Sequence, residues 1–176
     1  PNGSLAAHVM GGASYGKEGV HAAEVIGVAG VEKYFDDYLR DPANGNKPLQ
    51  LSLDLTVQAA SERILWGGMK LMNAKGATSV LMDVKTGEVI SVVSLPSFDP
   101  NDRPRPATEG DASDSPLFNR SVQGVYELGS TFKIFAAAQA IDLGLVNANT
   151  VIDTKGPMRV GGFNIGEFHG KNYGAL

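Results

Sequence analysis

Three features of the 176-residue chain predict an α/β (α+β) fold, an antiparallel sheet flanked by helices. Two β-branched apolar runs, 77–84 and 88–95, are joined by Lys85-Thr86-Gly87, where glycine supplies the positive φ of a hairpin turn. A stretch with apolar residues at near-helical spacing, 54–73, precedes them. An alanine-rich apolar run, 131–143, follows and ends at Gly144.

Residues 1–48 are glycine-rich and weakly patterned, except that Val31, Tyr34/Phe35 and Tyr38/Leu39 fall on one helical face. The breaker cluster Asp41-Pro42-Ala43-Asn44-Gly45-Asn46 marks a boundary, giving modules 1–48 and 49–176. Leu49–Leu53 alternates apolar and polar residues as a short strand does, and Asp54 suits the N-cap of the helix to Asn73. That helix carries Val57, Ala60, Ile64, Leu71 and Met72 at helical spacing. Gly67-Gly68 weakens its middle by roughly 1 kcal/mol per glycine, so a bend is expected there. The hairpin arms are apolar on both faces, as inner strands covered by helices 54–73 and 131–143 would be. Pro96–Pro116 is a loop with five prolines and the acidic residues Asp99, Asp102, Glu109, Asp111 and Asp114, long enough to imply function or mobility. The helix 131–143 is apolar on all faces and is expected to be buried. Residues 150–168 read as short strands with turns at Lys155-Gly156-Pro157 and Gly161-Gly162.

Composition excludes several classes. A hydrophobic share of 43% excludes a disordered or collagen-like chain. The net charge of −4 argues against non-specific nucleic-acid binding. With no cysteine there is no disulfide scaffold, thiol nucleophile or cysteine-based zinc site. No run approaches the ~20 apolar residues of a membrane span, and Pro1–Met10 lacks the pattern of a signal peptide. Pro1 is an unusual start and Asn172–Leu176 carries no terminal motif, so a piece of a longer chain is expected.

The chemistry concentrates at Ser130-Thr131-Phe132-Lys133, where the last helix begins. Three-residue spacing puts serine and lysine on one helical face. A serine hydroxyl needs a base to take its proton, and lysine is that base only when substantially neutral. Desolvation in an apolar helix and the positive helix end push it that way. The helix start also offers free backbone N–H groups, including that of Ser130, to a developing oxyanion, and Gly129 removes bulk where an acyl substrate would approach. Twelve serines and nine lysines make Ser-x-x-Lys expected about once by chance. Local features alone leave open an N-cap serine followed by a surface lysine. A second copy, Ser14-Tyr15-Gly16-Lys17, lies among glycines with no helix after it. Gly11-x4-Gly16-Lys17 imitates a phosphate-binding loop, but Glu18 stands where a hydroxyl residue would hold magnesium, so it reads as a flexible loop. His8, His21 and His169 have no metal-ligand spacing, and the acidic loop reads as a solvated face rather than a calcium site.

Gly129-Ser130-Thr131-Phe132-Lys133 resembles the first active-site motif of the penicillin-binding proteins and serine β-lactamases. Leu51-Ser52-Leu53-Asp54-Leu55-x-x-Gln58 resembles the opening of a class B transpeptidase domain. Met82-Asp83-Val84-Lys85-Thr86-Gly87-Glu88-Val89 resembles its first hairpin, Pro96–Asn101 the loop after it, and Asn119-Arg120 the approach to the nucleophile. Gly27-x-x-Gly30-x-Glu32 resembles the end of the family's amino-terminal pedestal. Together they resemble a class B penicillin-binding protein, most similar to the cell-division peptidoglycan transpeptidases, from about Gly27 to Gly170. The resemblance implies an incomplete transpeptidase fold with the pedestal end in 1–48 and the first part of the transpeptidase domain in 49–176. It implies Ser130 as nucleophile, Lys133 as proton acceptor, and Gly129 and Ser130 against the substrate, with no cofactor or metal. Glu127 and Asn119 are supporting residues at most, and Leu128 departs from the proline often found before this Gly-Ser. The implied partners are peptidoglycan stem peptides, β-lactam antibiotics and other cell-division proteins. The implied location is the periplasmic face of the inner membrane, with the anchor upstream of Pro1.

The family's later motifs, Ser-x-Asn and Lys-Thr/Ser-Gly, are missing: no serine follows Ser130, and neither Lys155 nor Lys171 begins the third motif. Lys85-Thr86-Gly87 and Ser113-Asp114-Ser115 fall before the nucleophile, and Lys85 reads as a turn residue. The segment alone is therefore expected to be inactive. A class D β-lactamase or penicillin-sensing receptor is the enzymatic alternative, and a non-catalytic scaffold with a degenerate transpeptidase core is the other. An open sheet edge would favour a dimer or domain swap.

Overall fold

The computed structural model describes residues 3–15, 25–45, 47–171 and 173–175, in two compact units, Pro1–Val125 and Tyr126–Leu176. The first unit carries α1 (Ala7–Met10), β1 (Gly12–Tyr15), β2 (Val25–Ala29), α2 (Gly30–Tyr34), α3 (Asp36–Arg40) and a 3-10 turn at Pro42–Asn44. Next come α4 (Leu55–Leu71), β3 (Ala77–Met82), β4 (Val89–Leu95) and 3-10 turns at Pro100–Asp102 and Ala112–Asp114. β1 pairs antiparallel with β2, and β3 with β4.

The helical face expected over 31–40 is split into α2 and α3 at Phe35, where φ is −107°. The break falls where Asp36 turns its carboxylate to the Gly27 N–H at 2.8 Å and to Arg40 at 3.1 Å. A side chain at Gly27 would run into the Glu32 backbone, and one at Gly30 into the backbones of Val9 and Gly11. The spacing Gly27-x-x-Gly30-x-Glu32 therefore reflects close backbone approach.

Asp54 caps α4 as the sequence predicts, accepting from the Thr56 and Val57 N–H groups at 2.8 and 3.0 Å. The helix continues through Gly67-Gly68 to Leu71, and Asn73, at φ 49°, closes it with N–H bonds from Asn73 to the Lys70 carbonyl and from Ala74 to Met69. Leu49–Leu53 is not a strand. The groups on β4 that a further strand would use are already taken. The Ser52 hydroxyl donates to the Val89 carbonyl at 2.7 Å, the Asp54 N–H to the Ile90 carbonyl at 3.0 Å, and the Gln58 amide occupies both backbone groups of Val92.

The hairpin runs in register from Ala77 opposite Leu95 to Met82 opposite Val89, with one irregularity between Leu81 and Met82. Its turn is pinned by Asp83, whose carboxylate accepts from the Lys85 and Thr86 N–H groups at 2.7 and 3.0 Å, while Gly87 takes φ +77°. The Thr86 and Lys85 N–H bonds hold the Asp83 carboxyl below the usual carboxylate range. Lys85 is a turn residue, as expected.

α4 packs on β4 and β3, so one of the two predicted helix contacts is present in this unit. The core is small: Ala6, Ala7, Val93, Leu95 and Phe98, with the buried polar residues Gln58, Ser91, Ser94 and Arg120. β4 is buried towards Leu95, whereas β3 is exposed over Val80–Met82. The segment 96–116, read from sequence as one structureless loop, holds two short turns capped by Asp99 and Asp111.

The second unit holds a 3-10 turn (Gly129–Phe132), α5 (Lys133–Asp142), the hairpin β5 (Met158–Val160) and β6 (Phe163–Ile165), and a 3-10 turn at Phe168–Gly170. Gly161-Gly162 makes the predicted turn between β5 and β6. The predicted burial of helix 131–143 is not observed: Ile134, Phe135, Ile141 and Leu143 are all exposed. An apolar sequence records what a helix is built to pack against, and no described residue buries these side chains.

Candidate active site

Ser130 and Lys133 are brought together as the spacing predicts, by a different local helix. Ser130 lies in the 3-10 turn, Lys133 is the first residue of α5, and the Lys133 N–H donates to the Ser130 carbonyl. In a 3-10 turn, residues three apart eclipse, which aligns the two side chains more directly than an α-helical turn would. Thr131 braces the turn, its N–H and hydroxyl both donating to the Leu128 carbonyl at 3.2 and 2.7 Å. The Ser130 N–H takes no backbone acceptor among the described residues, leaving it directed outward as an oxyanion donor must be.

Gly129 sits at φ +55°, in the left-handed region, with open space around the position a Cβ would occupy. Backbone conformation, rather than lack of room, is therefore the local reason for glycine here. Leu128, the departure from proline, has φ −69°, the value proline would impose. Ser130 and Lys133 are both exposed.

Upstream, in the first unit, Asn119-Arg120 is an anchor. The Asn119 carboxamide accepts from the Ser121 N–H at 3.0 Å, and its own N–H donates to Gln123 at 2.7 Å. Arg120 is 8% exposed; its N–H donates to the Ser94 hydroxyl at 3.0 Å and its guanidinium to the Ser113 and Phe118 carbonyls. A side chain at Gly76 would collide with that guanidinium. Sequence reasoning placed Asn119-Arg120 near the nucleophile but missed that the arginine is a buried clamp, because nothing local marks its target carbonyls.

The remaining candidates fall away. Ser14 lies in β1, which puts alternate residues on opposite faces, and its partner Lys17, like His21, lies outside the described residues. His8 donates to or accepts from no other histidine; its ring pairs with the Pro116 carbonyl at 2.8 Å and meets Phe98 edge-on. The Asp99 and Asp111 carboxylates are engaged by the N–H groups of Asn101 and Ser113, bonds that hold both below the usual carboxylate range. Glu127 is exposed.

With this geometry, the penicillin binding protein transpeptidase domain matches residues 77–174, which include the hairpin, the arginine anchor and the Ser130 turn. The chain belongs to the penicillin-binding protein transpeptidase family. Among relatives, the probable peptidoglycan D,D-transpeptidase FtsI of Caulobacter vibrioides is 36% identical over 170 residues, covering 96% of this chain and 26% of its own length. The peptidoglycan D,D-transpeptidase MrdA of Acinetobacter baumannii is 33% identical, covering 89% of this chain and 28% of its own. A penicillin-binding protein, PBP2, from Helicobacter pylori has the same fold over all of this chain and 39% of its own, with a TM-score of 0.70 at 21% identity. The chain thus spans roughly a quarter to a third of the length of these curated relatives.

Proposed function

We propose that this chain is the nucleophile-bearing part of a penicillin-binding peptidoglycan D,D-transpeptidase. The observation that carries the reading is the closed turn setting Ser130 and Lys133 at the head of α5, inside the family match. Lys133 takes the proton as the Ser130 hydroxyl attacks the carbonyl between the two terminal D-alanines of a stem peptide. The amide C–N bond breaks, the proton passes to the leaving amine, and D-alanine departs from an acyl-serine ester. An amine of a neighbouring stem then attacks the ester, and its proton returns through Lys133 as the Ser130 hydroxyl re-forms. Gly129 and Ser130 meet the substrate, and the Ser130 N–H faces the oxyanion. Penicillins follow the first half of this path and stop at the ester.

Residues 1–48 form the end of the pedestal and 49–176 the start of the transpeptidase domain. The full-length protein works at the periplasmic face of the inner membrane, anchored by a segment preceding Pro1, among other cell-division proteins. No serine follows Ser130, so the second motif is not within these residues and the 176-residue chain alone acylates far more slowly than the full-length protein.

A fluorescent penicillin tests both points. In the full-length protein it labels Ser130; Ser130→Ala abolishes labelling, and Lys133→Ala slows it by about 10²–10⁴-fold. Labelling that survives Ser130→Ala overturns the site. Stoichiometric labelling of the 176-residue chain at the full-length rate overturns the second point.

A further inference from the structure

The first unit carries an open groove of about 690 Å³ to which the catalytic reading gives no role. One wall is a single stripe of α4: Ala59, Glu62, Arg63, Trp66, Met69 and Lys70. The facing wall is the chain from Leu95 to Asp99, and Ser4 and Leu5 also line it. From 59 to 70, at 1.5 Å per residue, the groove runs about 16 Å, the length of about five residues of extended peptide. Its base is apolar, with Leu95 and Phe98 buried, while Trp66 is 54% exposed.

The charges around it are not equally free. The Glu62 carboxylate already accepts from the Ala6 N–H and the Gln58 amide, both at 2.9 Å. The Asp99 carboxylate accepts from the N–H and the side chain of Asn101, both at 2.8 Å. Lys70 Nζ stands 5.6 Å over the Trp66 ring, and Arg63 is exposed with no ion pair among the described residues. The uncommitted charge in the groove is therefore positive, on a chain whose net charge is −4. A narrow apolar strip with two free cations complements an extended chain carrying carboxylates and one apolar side chain. A lipid headgroup offers the charge without a use for the length.

We propose that this groove docks a short acidic peptide segment of a partner protein, with an apolar side chain against Trp66 and carboxylates paired to Arg63 and Lys70. The catalytic reading and this docking stand on different residues, so either can fail alone.

Trp66 is the single tryptophan of the chain, so its emission reports the groove directly. The probe is a blocked Glu-Leu-Asp-Leu-Glu peptide titrated into the 176-residue chain, with Lys-Leu-Lys-Leu-Lys and phosphatidylglycerol vesicles as comparators. The expected result is a saturable blue shift with the acidic peptide alone. Raising salt to about 0.5 M weakens it, as screening requires. Arg63→Glu with Lys70→Glu, both at exposed positions, raises the dissociation constant at least tenfold while the melting temperature and circular dichroism stay unchanged. Arg63→Gln with Lys70→Gln gives a smaller loss in the same direction. No saturable shift up to millimolar peptide, an equal response to the basic peptide, a response to vesicles only, or unaltered binding by the charge variants each overturns the proposal.

Discussion

Replacing Gln58 by alanine removes the side chain that closes the outer edge of β4. Gln58 is 0% exposed, and its carboxamide donates to the Val92 carbonyl at 2.7 Å and to Glu62 at 2.9 Å, while accepting from the Val92 N–H at 2.9 Å. Truncation leaves both Val92 groups without their partner, and a stranded buried backbone group costs about 1–3 kcal/mol. Val92 is only half-buried and water can enter the vacated space, so the lower half of that range applies, about 2–4 kcal/mol for the pair. The better helix propensity of alanine returns only a few tenths of a kcal/mol, about a tenth of the loss. Urea unfolding followed by circular dichroism reads the stability, and hydrogen exchange at the Val92 amide reads the edge itself. Gln58→Glu sharpens the test: it keeps an acceptor for the Val92 N–H but sets a carboxylate against the Val92 carbonyl and Glu62. Burial and those two neighbours raise the introduced carboxyl above its unfolded value. Its deficit is therefore smallest at low pH and grows as pH rises through the folded value. The reasoning fails if Gln58→Ala costs less than about 0.5 kcal/mol with Val92 exchange unchanged, or if the Gln58→Glu deficit is flat with pH.

Two further outcomes follow from the same structure. Burial holds the His8 imidazole below its usual 6.5, against the opposing pull of the Pro116 carbonyl, with the Arg120 charge adding to the lowering and Glu62 opposing it. The unfolded chain thus takes up the proton first as pH falls: stability is full above 6.5 and declines below it until folded His8 titrates, and urea midpoints at about pH 7.5 and 5.5 differ less in His8→Gln. Leu128→Pro, at φ −69° and with no bond from the Leu128 N–H among the described residues, raises the thermal stability of the second unit by about 0.4–1 kcal/mol. A loss of stability there means that the N–H is needed.

What could be read from sequence divides by range. The Asp54 cap, the Lys85-Thr86-Gly87 turn and the Ser130-to-Lys133 juxtaposition are decided within a few residues, and the chain shows all three. The Leu49–Leu53 strand failed because its hydrogen-bonding site on β4 is filled by a side chain from the following helix, a competition between segments 34 residues apart. Apolarity correctly marked helix 131–143 as a packing element but could not say what packs on it, and its faces stand exposed. Arg120 is the same lesson in reverse. A charged residue reads as surface, yet three carbonyl and hydroxyl partners from separate segments make it a buried anchor.

The motif Leu51-Ser52-Leu53-Asp54-Leu55-x-x-Gln58 acquires a physical meaning from this geometry. Its three polar residues do one job, supplying Val89, Ile90 and Val92 with the partners a neighbouring strand would otherwise provide. A side-chain amide satisfies a strand's backbone without offering a free edge of its own, so β4 is closed to addition. Any strand that joins this hairpin, from further along the protein or from a second copy, must therefore come to β3. There Val80, Leu81 and Met82 lie about half exposed. The open edge inferred from sequence thus has a side: the polar residues that begin α4 leave growth of the sheet one direction only.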